Sequence, residues 1–454
     1  MPSDLIGLRR RHPRPPVRMV HLGLGAFHRA HQAWYTAVSE PGWGIAAFTG
    51  RSAGAAEVLV SQDCLYTLVV RSDQGEETQV VESIVEAHDG TDLEALRTLL
   101  RRPEVAVVTL TITEKGYHLG ADGHLDEQDA EIAADAVTLG PALEPGEGPA
   151  LRTVPARLLC ALRARHLAGA GTVAVIPCDN LASNGPTTTS LLRDLASLAG
   201  SDTAWIDETV DVVGTSVDRI TPHVSAEEVA ALAHAHRNDD ATPVVTEPFR
   251  SWVLSGRVRG VRPAWELAGA LFVDDIEPFE RRKLWMLNGA HSLLAYSGIL
   301  RGHDTVAQAV ADPECRAQMH ALWDMDEHGL AEHPALHTRE YRRDLEARFA
   351  NSAIAHSLRQ IAADGSVKLR NRVVDVLIRE RAAGGDGDAA TTVLAAWVRF
   401  VRAELRAGRA LEDAAAARIA EAVGSPDPVR ALIHVISPQL AEDQSVVRRV
   451  QYRS

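Results

Sequence analysis

Cysteine is scarce and scattered. The 454-residue chain has four, Cys64, Cys160, Cys178 and Cys315, and no two of them form a Cys-x-x-Cys pair. That spacing excludes a cysteine-rich structural zinc site and points to free thiols in a reducing cytoplasm. Positive charge is also in deficit. There are 47 Lys and Arg against 61 Asp and Glu, for a net charge of -14, which argues against nucleic acid as a partner, because binding it requires phosphate neutralisation. No apolar run reaches the roughly 18 residues of a membrane span, so no membrane partner is expected. A basic stretch, RRRHPRPPVR, looks like the start of a signal peptide. His21, His28 and Arg29 interrupt the apolar run behind it, so none is expected. There is no internal repeat, and no motif specifies an oligomeric state.

What is present fits two sizeable cores: 46% of the residues are hydrophobic. From the first strand, Met19 to Leu22, buried-strand runs alternate with helical patterns. GWGIAAFTG, EVAVVTLTI (Glu104 to Ile112) and GTVAVIPCDN (Gly171 to Asn180) read as strands. DLEALRTLLRR and VPARLLCALRARHLAGA read as helices. Such alternation predicts an α/β domain with a parallel sheet covered on both faces. PALEPGEGPA is a Pro/Gly loop within it. From about Phe279 the strand signals fade, and helices such as ATTVLAAWVRFVRAELRAG dominate. The expected domains are 1–277 and a mostly α-helical 278–454.

The first strand enters Gly23-x-Gly25, and a helical pattern follows from Ala26 and Phe27. Backbone amides in such a turn can approach a pyrophosphate. The full fingerprint wants a third glycine where this chain has His28, so a plain tight turn remains an alternative. The acid that would bind the ribose hydroxyls of NAD after the second strand is missing. Thr49-Gly50-Arg51-Ser52-Ala53-Gly54 stands there instead. Arg51 and Ser52 suit a 2′-phosphate and equally suit an ordinary exposed loop.

KLWMLNGAHSLLAY, Lys283 to Tyr296, reads as a helix with polar groups among apolar ones. At about 100° per residue, Glu280, His291 and Asn288 fall about 60°, 80° and 140° from Lys283, within one arc that also holds Leu284 and Leu287. Such a mixed face suits a cleft wall. It suits a partly exposed amphipathic helix as well.

Taken together, HLGLGAFHRAHQAWYT, QDCLYTL, TLTITEKGY, PCDNLASNG, VDRITP, EPFRSWV, KLWMLNGAHSLLAYSG and RFANSAIAHSLRQIAADGSVKLRNR resemble the mannitol dehydrogenase family of polyol-specific long-chain dehydrogenases. That family includes mannitol 2-dehydrogenases and fructuronate reductases. The matching stretches run from about residue 20 to 375. The resemblance implies a Rossmann-type N-terminal domain, a helical C-terminal domain, and metal-free interconversion of a secondary alcohol and a ketone of a sugar acid or polyol. It implies NAD as cofactor, with NADP possible, bound through Gly23, Gly25, Ala26 and Phe27 and near Arg51 and Ser52. Lys283 then corresponds to the general base, Asn180 and Asn288 to the oxyanion-stabilising amides, and His291, Asp218 and Lys368 to substrate contacts. Glu280 matches a carboxylate on the proton path. Lys115 and Arg250 resemble the fructuronate reductases and point to a substrate carboxylate. The chemistry is coherent: hydride leaves a carbinol carbon only as its hydroxyl proton is lost, and a desolvated lysine can take that proton. Two amides stabilise the alkoxide without being consumed.

Rival readings lack their residues. A zinc alcohol dehydrogenase needs grouped ligands, and the histidines are scattered, with His118, His223 and His236 expected at the surface. A short-chain dehydrogenase needs Tyr-x-x-x-Lys, and no tyrosine here has a lysine at that spacing. A non-catalytic nucleotide sensor would be marked by loss of Lys283 or Asn288, and both are present.

Overall fold

The computed structural model describes residues 5–50, 52–120, 122–146 and 150–454. The chain folds as two compact units, Met1–Ile276 and Glu277–Ser454.

The first unit has twelve strands among its described residues. They are β1 (Val17–Leu22), β2 (Gly44–Phe48), β3 (Tyr66–Ser72), β4 (Gly75–Val81), β5 (Ile84–His88), β6 (Val107–Leu110), β7 (Val173–Pro177), β8 (Val210–Val212), β9 (Gly214–Asp218), β10 (Val244–Thr246), β11 (Ser251–Ser255) and β12 (Leu271–Val273). Six form one sheet in the order β5-β2-β1-β6-β7-β8, with every pairing parallel. Counted along the chain within that sheet, the order is 3-2-1-4-5-6, the doubly wound dinucleotide-binding topology. Strand order reverses between β1 and β6, so the ligand crevice belongs at the carboxyl ends of these two strands.

Alternation of side chains along β1 explains why the sheet is covered twice. Val20 and Leu22 join one apolar core with Leu96, Ile132 and Leu159, contributed by flanking helices. Met19 joins another, with Ala33, Tyr35, Trp252 and Trp265. The run read as a strand from Glu104 to Ile112 pairs only over Val107–Leu110. Two small sheets escaped the sequence reading, β10-β3-β4 and β12-β11-β9. The β3–β4 hairpin turns at Asp73-Gln74-Gly75, where Gly75 has φ +126°.

The second unit is helical. Its axis is the helix Ala290–Leu300, buried from Ala290 through Gly298. Around it pack Val306–Ala311, Pro313–Leu330, Leu358–Ala362 and Asp388–Arg406. A capping box between Thr305 and Gln308 starts the first of these.

Candidate active site

In the first unit the glycine turn caps β1 at the crevice. Gly23 has φ +108°, and the amides of Gly23 and Leu24 both donate to Phe48 O, at 2.9 and 2.8 Å. The Thr111 hydroxyl donates to Gly23 O at 2.8 Å. It must therefore accept from His21 Nε2, 3.0 Å away, which leaves His21 Nδ1 to accept from Thr109 Oγ1 at 2.8 Å. This directed chain ties β6 through β1 to the turn. Burial holds the His21 pKa at about 3, so the ring is neutral.

His28, at the place of the third glycine, lies fully buried and flat against His21, with centroids 3.3 Å apart and planes 7° from parallel. A stacked ring thus substitutes for the close approach a glycine allows. The helix expected from Ala26 is interrupted: Ala26–Ala30 ends at His31, and a second helix runs Gln32–Ser39. Phe27 stacks on His31 at 5.1 Å. An added Cβ at Gly25 would meet only Gly23 O, at 3.6 Å, so the turn keeps open space for a pyrophosphate. After β2, Thr49 is consumed internally: its amide donates to His88 O at 3.0 Å and its hydroxyl accepts from Gly90 N at 2.8 Å. Ser52 is exposed. Arg51 lies outside the described residues.

Other candidates in this unit stand at strand ends. Lys115 is exposed on the 3-10 turn Glu114–Tyr117 that follows β6. Asn180 follows β7 and is exposed, whereas Asp218 ends β9 and is buried. Arg250 lies with its guanidinium 4.4 Å from the centre of the Trp34 ring, which Arg219 also approaches at 5.3 Å. Burial first, and Asp218 last, push the Tyr35 hydroxyl up to about 12, against the pull of Arg250 and Arg219. Arg250, Arg219, Tyr35 and Asp218 thus form one electrostatic neighbourhood.

In the second unit the wheel drawn at 100° per residue is corrected by the backbone. Lys283–Gly289 is a π-helix set between α-helical Glu277–Arg282 and Ala290–Leu300. A π-helix repeats at i→i+5, and five is the separation of Lys283 and Asn288. Glu280 precedes Lys283 by three and His291 follows Asn288 by three, the α-helical neighbour spacing. The widened turn brings Asn288 back toward Lys283, so the four share an arc narrower than expected. Side chains fix the widened turn: Trp323 Nε1 donates to Met286 O at 2.7 Å. Arg372 donates to Asn288 O at 3.3 Å and to Ser292 Oγ at 3.2 Å. Arg372 belongs to a second π-helix, Arg370–Val374, whose backbone comes so close that a Cβ on Gly289 would lie 3.1 Å from Arg372 O.

Asn288 and His291 are buried at 9% and 7% exposure. Among the described residues, neither Asn288 Nδ2 nor His291 Nε2 has a hydrogen-bond partner. A buried donor without a partner is costly, and a ligand oxygen would satisfy it. The His291 ring lies 4.6 Å from Phe349 and 5.0 Å from His356. Burial, then the charges of His356, Arg348 and Arg372, hold its pKa well below the usual value. Burial likewise brings His356 down to about 4. Lys368, on the short helix Gly365–Leu369, donates to Ile361 O at 3.3 Å.

Arg348, His356 and Arg372 were missed as neighbours of His291, although they stand in the quoted RFANSAIAHSLRQIAADGSVKLRNR. A plainer signal was also available. Of the 47 basic residues, only three are lysines, at 115, 283 and 368. Arginine stays charged, whereas lysine can lose its proton. His118, expected at the surface, is half-buried with its nitrogens 3.2 Å from Asp129 and 3.7 Å from Glu131. These three are the one metal-ligand-type grouping among the described residues.

The doubly wound sheet and its glycine turn are those of a nicotinamide-dependent oxidoreductase of CH–OH groups. Residues 17–267 match the mannitol dehydrogenase Rossmann domain and 275–453 the mannitol dehydrogenase C-terminal domain. The chain belongs to the mannitol dehydrogenase family. It is 35% identical to the D-mannonate oxidoreductase of Escherichia coli, over 88% of this chain and 83% of that protein. With the mannitol 2-dehydrogenase of Phaeosphaeria nodorum it shares 32% identity, over 95% and 78%. The solved Pseudomonas fluorescens mannitol 2-dehydrogenase, in ternary complex with NAD and D-mannitol, superposes with a TM-score of 0.81 at 32% identity, covering 97% of this chain and 91% of that one. Among the described residues no helix is long and apolar enough to cross a membrane.

Proposed function

We propose that this protein reduces the ketone of fructuronate to give mannonate with NADH, with mannitol–fructose interconversion as the second reading. One observation carries the chemistry: two buried, unpartnered side-chain nitrogens, Asn288 Nδ2 and His291 Nε2, stand on the helical segment that begins at Lys283. Held at the Gly23–Phe27 turn, a reduced nicotinamide would supply hydride to the carbonyl carbon. Lys283 gives its proton to the carbonyl oxygen and, in the reverse direction, takes it from the alcohol. Asn180 and Asn288 donate to the oxygen as charge grows on it. His291, kept neutral, meets a neighbouring hydroxyl through Nε2. Glu280, one turn before Lys283, passes the proton on, while Asp218 and Lys368 hold other substrate hydroxyls.

The D-mannonate oxidoreductase relative supports the acid substrate, and the mannitol 2-dehydrogenases support the second reading. Arg250 with Lys115 supplies the cationic grip a carboxylate needs, since a guanidinium donates paired N–H groups to the two carboxylate oxygens. The Gly23–Phe27 turn takes the pyrophosphate. NAD is the cofactor, and the lack of an acid from Thr49 to Gly54 admits NADP. Four buried free thiols fit a reducing cytoplasm.

The test is a spectrophotometric panel of fructuronate and fructose against NADH and NADPH. Faster turnover of fructuronate is expected, and Arg250→Ala should raise KM for the acid alone. Faster turnover of fructose would overturn the substrate assignment.

A further inference from the structure

Asn180 is exposed, yet the backbone on both sides of it is tied down by one buried carboxylate. Asp179 Oδ1 accepts from the amide of Leu181 at 3.2 Å, which closes an Asx turn with Asn180 at its centre. The same oxygen accepts from Asn184 Nδ2 at 3.3 Å, and Oδ2 accepts from the Tyr117 hydroxyl. Asn184 and Tyr117 are themselves fully buried. The Asn184 amide also donates to Pro177 O at 3.2 Å and Thr215 O at 3.0 Å, and its oxygen accepts from Thr215 N at 2.9 Å. The helix Asn184–Leu198 comes so close that a Cβ on Gly185 would fall 2.8 Å from Gly214 Cα. One polar network thus joins the ends of β6 and β7 to the start of β9, and Asp179 is its hub.

We infer that Asp179 is a positioning residue for Asn180, and that Tyr117 holds Asp179 in place for that task. The inference rests on the reading of Asn180 as a donor to the reacting oxygen. Three donors converge on a carboxylate that is 9% exposed, and burial shifts its pKa upward, with Tyr117 opposing the shift. Loss of one donor loosens the turn without emptying the core. Misplacement of a reacting group by about 1 Å can cost on the order of 10²-fold in rate.

The experiment uses Tyr117→Phe, Asp179→Asn and Asp179→Ala, each alone and combined with Asn180→Ala, with Asn180→Ala itself as reference. Tyr117→Phe should lower kcat about tenfold and Asp179→Ala about a hundredfold. NADH affinity, read by fluorescence, should stay within about twofold, because the network does not touch the Gly23 turn. Asp179→Asn, which keeps an acceptor for Leu181 and can donate to Tyr117, should fall between wild type and Asp179→Ala. In the Asn180→Ala background the Tyr117 and Asp179 effects should vanish, because they act through Asn180. A purely structural network would instead multiply the two losses, and that outcome overturns the inference. So does wild-type kcat in Tyr117→Phe, a variant that keeps the aromatic ring in the core even where Asp179→Ala does not fold. Full activity in Asn180→Ala would count against the reading of Asn180 itself.

Discussion

Alanine at Gly23 should break the first unit, while alanine at Gly25 should leave it folded. At Gly23 the new Cβ would lie 2.2 Å from Thr111 O and 2.9 Å from Thr111 C. Carbon and oxygen rest about 3.3 Å apart even in close C–H···O hydrogen bonds, so one backbone must retreat by about 1 Å. Neither is free to do so. Thr111 N is bonded to Leu22 O at 2.9 Å, and Gly23 N to Phe48 O at 2.9 Å. The φ of +108° adds strain for any residue with a side chain. Backbone strain and overpacking cost about 1–3 kcal/mol each, together a large share of the roughly 5–15 kcal/mol that holds a typical domain. Gly25 has φ -146°, which any residue adopts, and its Cβ would make only an ordinary contact, at 3.6 Å. The same methyl would occupy the space proposed for the pyrophosphate. Thermal unfolding and NADH fluorescence titration separate the two effects. Gly23→Ala should unfold far below wild type. Gly25→Ala should melt normally but bind NADH about 100-fold more weakly, roughly 2.7 kcal/mol. A Gly23→Ala variant melting within about 2 °C of wild type would refute the steric reasoning. Wild-type NADH affinity in Gly25→Ala would place the pyrophosphate elsewhere.

Three further outcomes are expected. Lys283→Ala should lower alcohol oxidation by about 10²–10⁴ with NADH binding retained; more than about a tenth of wild-type turnover would exclude it as the base. Because the fold lowers the His21 pKa from 6.5 to about 3, the stability His21 contributes is whole above pH 6.5 and drains away as pH falls toward 3. That is about 2 kcal/mol lost by pH 5; His21→Asn should flatten the decline in melting temperature between pH 7 and 5, and an unchanged slope would contradict it. Prolonged dialysis against a strong chelator should leave turnover intact, because the proposed chemistry runs on Lys283 and two amides; activity lost and then restored by zinc would point to a metal enzyme.

The alternation of Val-rich runs with helices was enough to read the parallel sheet, because strands buried on both faces must be apolar throughout. The small sheets were not legible: β10 and β12 have three residues each, too few to display a period. Helical propensity marked Lys283–Tyr296 as a helix, but propensity says nothing about which carbonyl each amide chooses. The π turn depends on Trp323 and Arg372, which lie 40 and 89 positions beyond Lys283 in sequence. What fills the place of the fingerprint's third glycine follows from no local rule: His28 finds a flat partner in His21, seven residues earlier on β1.

The π turn between Lys283 and Asn288 also bears on how this helix accommodates an added residue. An extra residue absorbed in a widened turn leaves the helical segments on either side nearly in phase, so Glu280 and His291 keep to one side of the helix across it. In a regular α-helix an added residue instead swings everything beyond it by about 100°. Here Gly289, where a Cβ would lie 3.1 Å from Arg372 O, lets the second π-helix close against the first.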